Sequence, residues 1–242
     1  MIQPQIRSVQ SWIIGLSVLL SAALNAHPAN ADPSDHATQI PSAAVACYFT
    51  GRTYLSVAPD GTGQGQLIEY FTNFNGIPGP LFNGPPSEST AFFTLRTNIF
   101  SFTPIRTNGD IALEEFDAGT SDIYYNPNPP NRSWGNPDQF SSGQLVARFA
   151  RQKSVVWRMM QTDTTNPPPF ESISHHPVTG TLLHSENFTF QGKKYNFNKL
   201  APGGITHNEF ISNTGVPGIT GFPIGLAYAG HCLAVGTEEE HD

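Results

Sequence analysis

Ser89-Thr90-Ala91-Phe92-Phe93-Thr94-Leu95-Arg96-Thr97-Asn98-Ile99-Phe100-Ser101-Phe102 is the strongest β-forming run in the chain, dense in aromatic and β-branched residues. Asn108-Gly109-Asp110 then turns the chain into Ile111-Ala112-Leu113-Glu114-Glu115-Phe116. Asn-Gly between two such runs is the strongest short-range hairpin signal, because both central residues of the tight turn need a positive φ. Ala118-Gly119-Thr120 turns it again, into Asp122-Ile123-Tyr124-Tyr125. This stretch reads as antiparallel strands joined by short turns, and it sets the expected class as all-β.

The same grammar extends in both directions. Upstream, Val45 to Val57 and Gln66 to Thr72 flank the turn signal Asp60-Gly61-Thr62-Gly63, and Asn75 to Pro86 reads as a loop. Downstream, a loop from Asn126 to Phe140 carries four prolines and Trp134. Ser142 to Ala150 and Val155 to Met160 read as strands, and Asn166-Pro167-Pro168-Pro169 forbids regular structure. Thr181 to Phe190 is expected to meet Tyr195-Asn196-Phe197 across Gln191-Gly192-Lys193, with a strand over Ile205 to Ile211 and a loop over Gly215 to Pro223. Leu226 to Gly236, full of Ala and Gly, closes the domain; small residues there point to close approach of another layer or of the first strand. No amphipathic helix and no internal repeat of 20–50 residues stands out.

About ten short strands at this spacing make either a closed barrel or a β-sandwich. The chain has two cysteines, Cys47 and Cys232, near the two ends of the β region. A bridge between them would join the first strand to the last, which favours an antiparallel barrel, with the sandwich as second choice. Closing so long a loop contributes roughly 4–5 kcal/mol in the chain-entropy model. The expected shape resembles the calycin or allene-oxide-cyclase type of barrel, a likeness of architecture alone.

The chain's start carries a targeting signal. Arg7 precedes the apolar run Trp12 to Leu24, which is shorter than the ~20 residues of a membrane span but has the length of a signal-peptide core. Ala29-Asn30-Ala31 fits a cleavage site, with Ala26 as the alternative. The expected organisation is a signal peptide over 1–31, a flexible leader over 32–44, one all-β domain over 45–236 and an acidic tail over 237–242. The mature chain would then be secreted or periplasmic, with no membrane span, and oxidising conditions there suit a disulfide.

Composition narrows the partners. Only 13% of residues are charged and the net charge is −7. Nucleic acid and anionic membrane surfaces select basic patches, so neither is expected as a partner. Asn131-Arg132-Ser133 and Asn187-Phe188-Thr189 fit the glycosylation pattern, which matters only in a eukaryotic secretory pathway.

Several residue groups could carry chemistry. His184 and Glu186, and again His207 and Glu209, stand two apart and would share a strand face. Two such pairs on neighbouring strands could hold a metal, against the plainer reading that both lie on a polar outer face. His175 and His176 are adjacent and would point to opposite faces. Glu114 and Glu115 likewise diverge, so that one faces inward, while Glu69, Glu115, Asp117 and Asp122 could line one rim. Tyr70, Phe93, Trp134, Trp157 and Tyr195 are candidate ligand-binding aromatics, with core filling as the default for those on strands. Trp134, on a Pro-rich loop, would either fold back on the barrel or present a contact surface. No nucleophile elbow, phosphate loop or dinucleotide fingerprint is present, and no cofactor is expected.

Three functions remain compatible with these residues. The first is a barrel that binds a small apolar or mixed-polarity ligand. The second is a cofactor-free or metal-dependent barrel enzyme of cyclase or isomerase type. The third is a structural or adhesion domain. An inward pocket with Glu or His at its base favours the enzyme, a purely apolar pocket favours binding, and a solid core favours adhesion.

Overall fold

A computed structural model describes residues 38–108, 111–159 and 173–237. The expected signal peptide, residues 32–37 of the leader, the Asn166–Pro169 break, Gly109-Asp110 and nearly all of the acidic tail lie outside these residues.

β1 (Val45–Val57) and β2 (Gly63–Phe74) form the first hairpin. Its turn is set by Asp60, whose Oδ1 accepts from Thr62 N at 3.0 Å and Thr62 Oγ1 at 2.7 Å. The Phe-rich stretch becomes β3 (Phe93–Thr97), β4 (Phe100–Phe102) and β5 (Arg106–Asn108). It returns as β6 (Ile111–Phe116) and β7 (Gly119–Tyr125), with Asn108 paired to Ile111 where the Asn-Gly signal was read. β8 (Gln144–Arg151) and β9 (Ser154–Met159) follow. Then come β10 (Ile173–Ser185), the small hairpin β11 (Phe188–Phe190) and β12 (Lys193–Tyr195), and one helical turn, α1 (Phe197–Leu200). β13 (Ile205–Ile219) and β14 (Phe222–Ala234) complete the chain.

The sheet closes on itself as an eight-strand antiparallel barrel, so the sandwich alternative does not hold. Each wall strand pairs with its neighbour in sequence, and β14 returns to β1 in the register Cys47↔Cys232. The Cys47–Cys232 disulfide lies across that seam, with Cα atoms 5.0 Å apart. The small residues of β14 are explained by this closure. β14 is bonded on both sides, and a side chain at Gly230 would strike the Asn208 carbonyl and the Phe49 ring.

Three wall strands break at one level. β3 gives way to β4 at Asn98-Ile99, β6 to β7 at Asp117-Ala118, and β8 to β9 at Gln152-Lys153. The breaks are adjacent because the strands are: Asn98 Oδ1 accepts from Thr120 N at 2.7 Å, and Gly119 pairs with Arg151. This shared crease bends the wall sharply enough to close, the role irregularities play at barrel corners.

The two ends of the barrel differ. At one, Phe71, Phe74, Phe93, Tyr125, Phe188, Tyr195 and Phe197 form a buried aromatic plug roofed by β11, β12 and α1. Ile40 joins this end, its N–H bonded to Leu200 O at 2.9 Å. The other end, bordered by the β1–β2 turn, the segment before β5 and the start of β14, is not covered by any of the described residues.

Two stretches depart from the sequence reading. Residues Gly215 to Ile219, read as loop, continue β13 after a bulge between Ile211 and Gly215. Beyond Ser212 β13 has no described partner on its β10 side, so Pro217, which has no N–H to donate, sits on an edge where it is tolerated. Asn196-Phe197, read as strand, instead starts α1, with Asn196 Oδ1 capping Asn198 N at 2.8 Å. Among the described residues no helix is long and apolar enough to cross a membrane.

Candidate functional site

The open end holds a cleft of about 540 Å³. Its walls are apolar: Leu55 and Val57 from β1, Pro104 and Ile105 from the rim, and Ile224 and Leu226 from β14. Its floor is polar, made by Glu114 of β6 and Arg158 of β9. These strands are neighbours, with Arg158 opposite Ala112 and Glu114 opposite Val156, so the two side chains meet diagonally on the inner face. Arg158 NH2 stands 3.9 Å from Glu114 Oε2, and Arg158 Nε donates to Ser174 Oγ at 3.2 Å. Burial pushes the Glu114 carboxyl above the usual carboxylate range, opposed by the charge of Arg158 and by His176.

Beneath the floor a recess of about 20 Å³, room for about one water, is lined by Thr53, Phe100, Phe116, Ser174 and His176. Thr53 Oγ1, buried there, makes no hydrogen bond among the described residues. Below the recess the barrel interior is polar, against the usual preference for an apolar core. His176 Nε2 shares a hydrogen bond of 2.8 Å with Ser154 Oγ, and its Nδ1 one of 3.0 Å with Glu209 Oε2. Hydroxyl, imidazole and carboxyl stand in the order of a nucleophilic triad. Ser154, however, lines neither cleft nor recess, so chemistry toward a bound molecule falls to the floor.

One layer deeper, Tyr228 Oη donates to Glu69 Oε2 at 3.1 Å. Gly51 makes this contact possible: it pairs with Tyr228, and a methyl there would fall on the phenol ring. Burial and the Glu209 charge drive the Glu69 carboxyl well above its usual range. His207 is pushed down to about 4 by burial, with Glu209 opposing. Its Nδ1 lies 3.8 Å from Glu69 Oε1, beyond hydrogen-bond reach, and burial disfavours the charged form of each. The Arg151 guanidinium lies over the Phe100 ring at 4.5 Å, and its nitrogens make no hydrogen bond among the described residues.

The structure separates the expected metal ligands. His207 and Glu209 point into the barrel, while His184 and Glu186 pair with each other at 3.2 Å on an exposed stretch. His207 is opposite Val178, leaving His184 six residues further along β10, roughly 20 Å away. Among the described residues no group of three or more His, Cys, Asp or Glu could hold a metal.

The five aromatics also lie apart, and none lines the cleft. Phe93 and Tyr195 belong to the plug. Tyr70 and Trp134 meet on the outer wall at 5.8 Å, where Trp134 folds back onto Phe140 at 5.2 Å under Arg52. Trp157 is 56% exposed on the outside. The single rim of carboxylates does not form: Glu69 is internal, Asp122 is clamped by Arg148 at 2.7 Å, and Glu115 pairs outward with Lys153 at 2.8 Å. The divergence of neighbouring residues does hold, with Glu114 inward and Glu115 outward, and His176 inward while His175 stacks on Phe210 outside.

Sequence reading missed Arg158 and the partnership of His176 with Glu209. The second pair are register partners across β10 and β13, a relation that only the pairing reveals. The fold and site define a class, an eight-strand meander barrel plugged at one end with a polar-floored cleft at the other. Comparison with protein-family models, with curated proteins and with solved structures finds no match to this chain.

Proposed function

We propose that the barrel binds a small, largely apolar molecule carrying an oxygen function, with its apolar body between Leu55, Ile105 and Leu226 and its polar end on Arg158 and Glu114. The observation that carries this reading is the 540 Å³ cleft with apolar walls over a charged floor, a size and lining suited to small-molecule sites. The apolar run Trp12 to Leu24 and the Cys47–Cys232 bridge support a secreted or periplasmic location. Recovery of the protein outside the cytosol with Asp32 as its first residue is expected; retention of Met1 on the exported protein contradicts the cleaved signal.

Nile red, a neutral, largely apolar dye with a carbonyl oxygen, is a suitable probe of the cleft. Its fluorescence is expected to rise saturably at one site per chain. Leu226→Trp, which fills the cleft from β14, should weaken binding at least about tenfold, a loss of about 1.4 kcal/mol. Equal binding by the wild type and Leu226→Trp would remove the cleft from consideration.

A further inference from the structure

We propose that the cleft is catalytic and isomerises an apolar ketone, Glu114 carrying a proton between two carbons of the bound molecule while Arg158 holds the ketone oxygen. This rests on the binding reading above and adds a reaction to it.

Each floor group has atoms left free to act on a ligand. Arg158 has spent Nε on Ser174, which fixes the plane of the guanidinium, while its NH2 stands 3.9 Å from Glu114, too far for a hydrogen bond. Neither group is therefore consumed by the other, and both line the cleft. A carboxyl and a guanidinium side by side are the base and the oxyanion partner that removal of a proton next to a carbonyl requires. A ligand seated between the apolar walls displaces water from the floor and so strengthens both interactions. Glu114 would repel a ligand carboxylate, so the group on Arg158 is a neutral carbonyl. Burial of Glu114 moves its proton affinity toward that of an effective base near neutral pH.

The step balances without any co-reactant. The Glu114 carboxylate takes a proton from the carbon beside the carbonyl, and the C–H electron pair moves into a carbon–carbon double bond. The carbonyl electrons move onto oxygen, where the Arg158 charge stabilises them. In a β,γ-unsaturated ketone the resulting dienolate then collapses, and the Glu114 carboxyl returns its proton to the γ-carbon, at the far end of the conjugated system. The product is a double-bond isomer, and Glu114 is again a carboxylate.

The test uses β-tetralone, an apolar ketone with acidic hydrogens beside its carbonyl, in deuterated buffer. Binding is read by displacement of Nile red and proton removal by deuterium incorporation in mass spectrometry. The wild type is expected to bind β-tetralone and accelerate incorporation roughly 100-fold or more over buffer, the scale of general base catalysis. Glu114→Gln should retain binding and lose the acceleration. Leu226→Trp, which keeps Glu114 and Arg158 but fills the cleft beside them, should lose both. Binding with the same incorporation in the wild type and Glu114→Gln overturns the catalytic inference and leaves the binding reading standing. Failure of β-tetralone to displace the probe from a cleft that binds it overturns the ketone proposal alone, and absence of probe binding overturns both.

Discussion

Glu69 and His207 face each other inside the barrel, yet their proton affinities move in opposite senses from their ordinary values. Both shifts come first from burial, which disfavours whichever form is charged. For His207 the folded value of about 4 lies below the unfolded 6.5. Its contribution is intact above pH 6.5 and is lost as pH falls toward 4, by about 3 kcal/mol at most. For Glu69 the folded value lies above the unfolded 4.5, so stability is lost as pH rises from 4.5 through the raised value. Glu69→Gln removes the second loss and keeps an acceptor for Tyr228. The variant should therefore gain melting temperature over the wild type at pH 8 and gain much less at pH 5. An equal shift at both pH values would show that Glu69 does not fold as a neutral acid. Gly51 belongs to the same scale, since the Tyr228–Glu69 contact exists only where no side chain occupies that position.

At the scale of elements, the loop between β7 and β8 shows how a proline-rich segment is fixed to a wall. Arg132 is buried in it, donating from NH1 to Ala91 O at 2.6 Å and from Nε to Gln139 O at 3.0 Å. Burial lowers its proton affinity to about 10, still high enough to keep it charged at neutral pH. Trp134 follows, its carbonyl accepting from Tyr54 Oη at 2.6 Å while its ring covers Phe140. Arg132→Met keeps the apolar stem but leaves the Ala91 carbonyl unpaired, while Gln139 O keeps Ser142 N and Ser142 Oγ, at a cost of about 1–3 kcal/mol. Chemical denaturation should show that loss, with limited proteolysis opening first between Asn126 and Ser142; unchanged stability would mean the loop is held by its aromatic contacts alone.

The same elements show what the sequence could convey. Strand identity was legible where local chemistry decides it, as in the Phe-rich run, the Asp60-Gly61 turn and the Asn-Gly hairpin. Inward against outward was legible for neighbours such as Glu114 and Glu115, because alternation is a property of one strand. Register was not: Arg158 joins Glu114, and His176 joins Glu209, through pairings set by long-range closure. The His184–Glu186 and His207–Glu209 pairs were correctly spaced along their strands but offset along the barrel axis, which spacing within a strand does not encode.

For the whole molecule, closure and asymmetry are the two consequences that bear on function. Antiparallel pairing around the ring closes the wall, apart from stretches such as β13 beyond Ser212 that have no described partner on one side. The disulfide secures the seam between its first and last strands. The phenylalanines that could have lined a pocket fill one end instead. The other end, with fewer aromatics and two charged groups on its floor, is left uncovered by the described residues, and the proposed ligand would enter there. Methyl-resolved NMR during a titration with β-tetralone tests this most directly. The account requires shifts concentrated on the methyls of Leu55, Ile105, Ile224 and Leu226, with Ile77, Leu81 and Leu200 at the plugged end unmoved. Shifts centred on Ile77, Leu81 and Leu200 would contradict it.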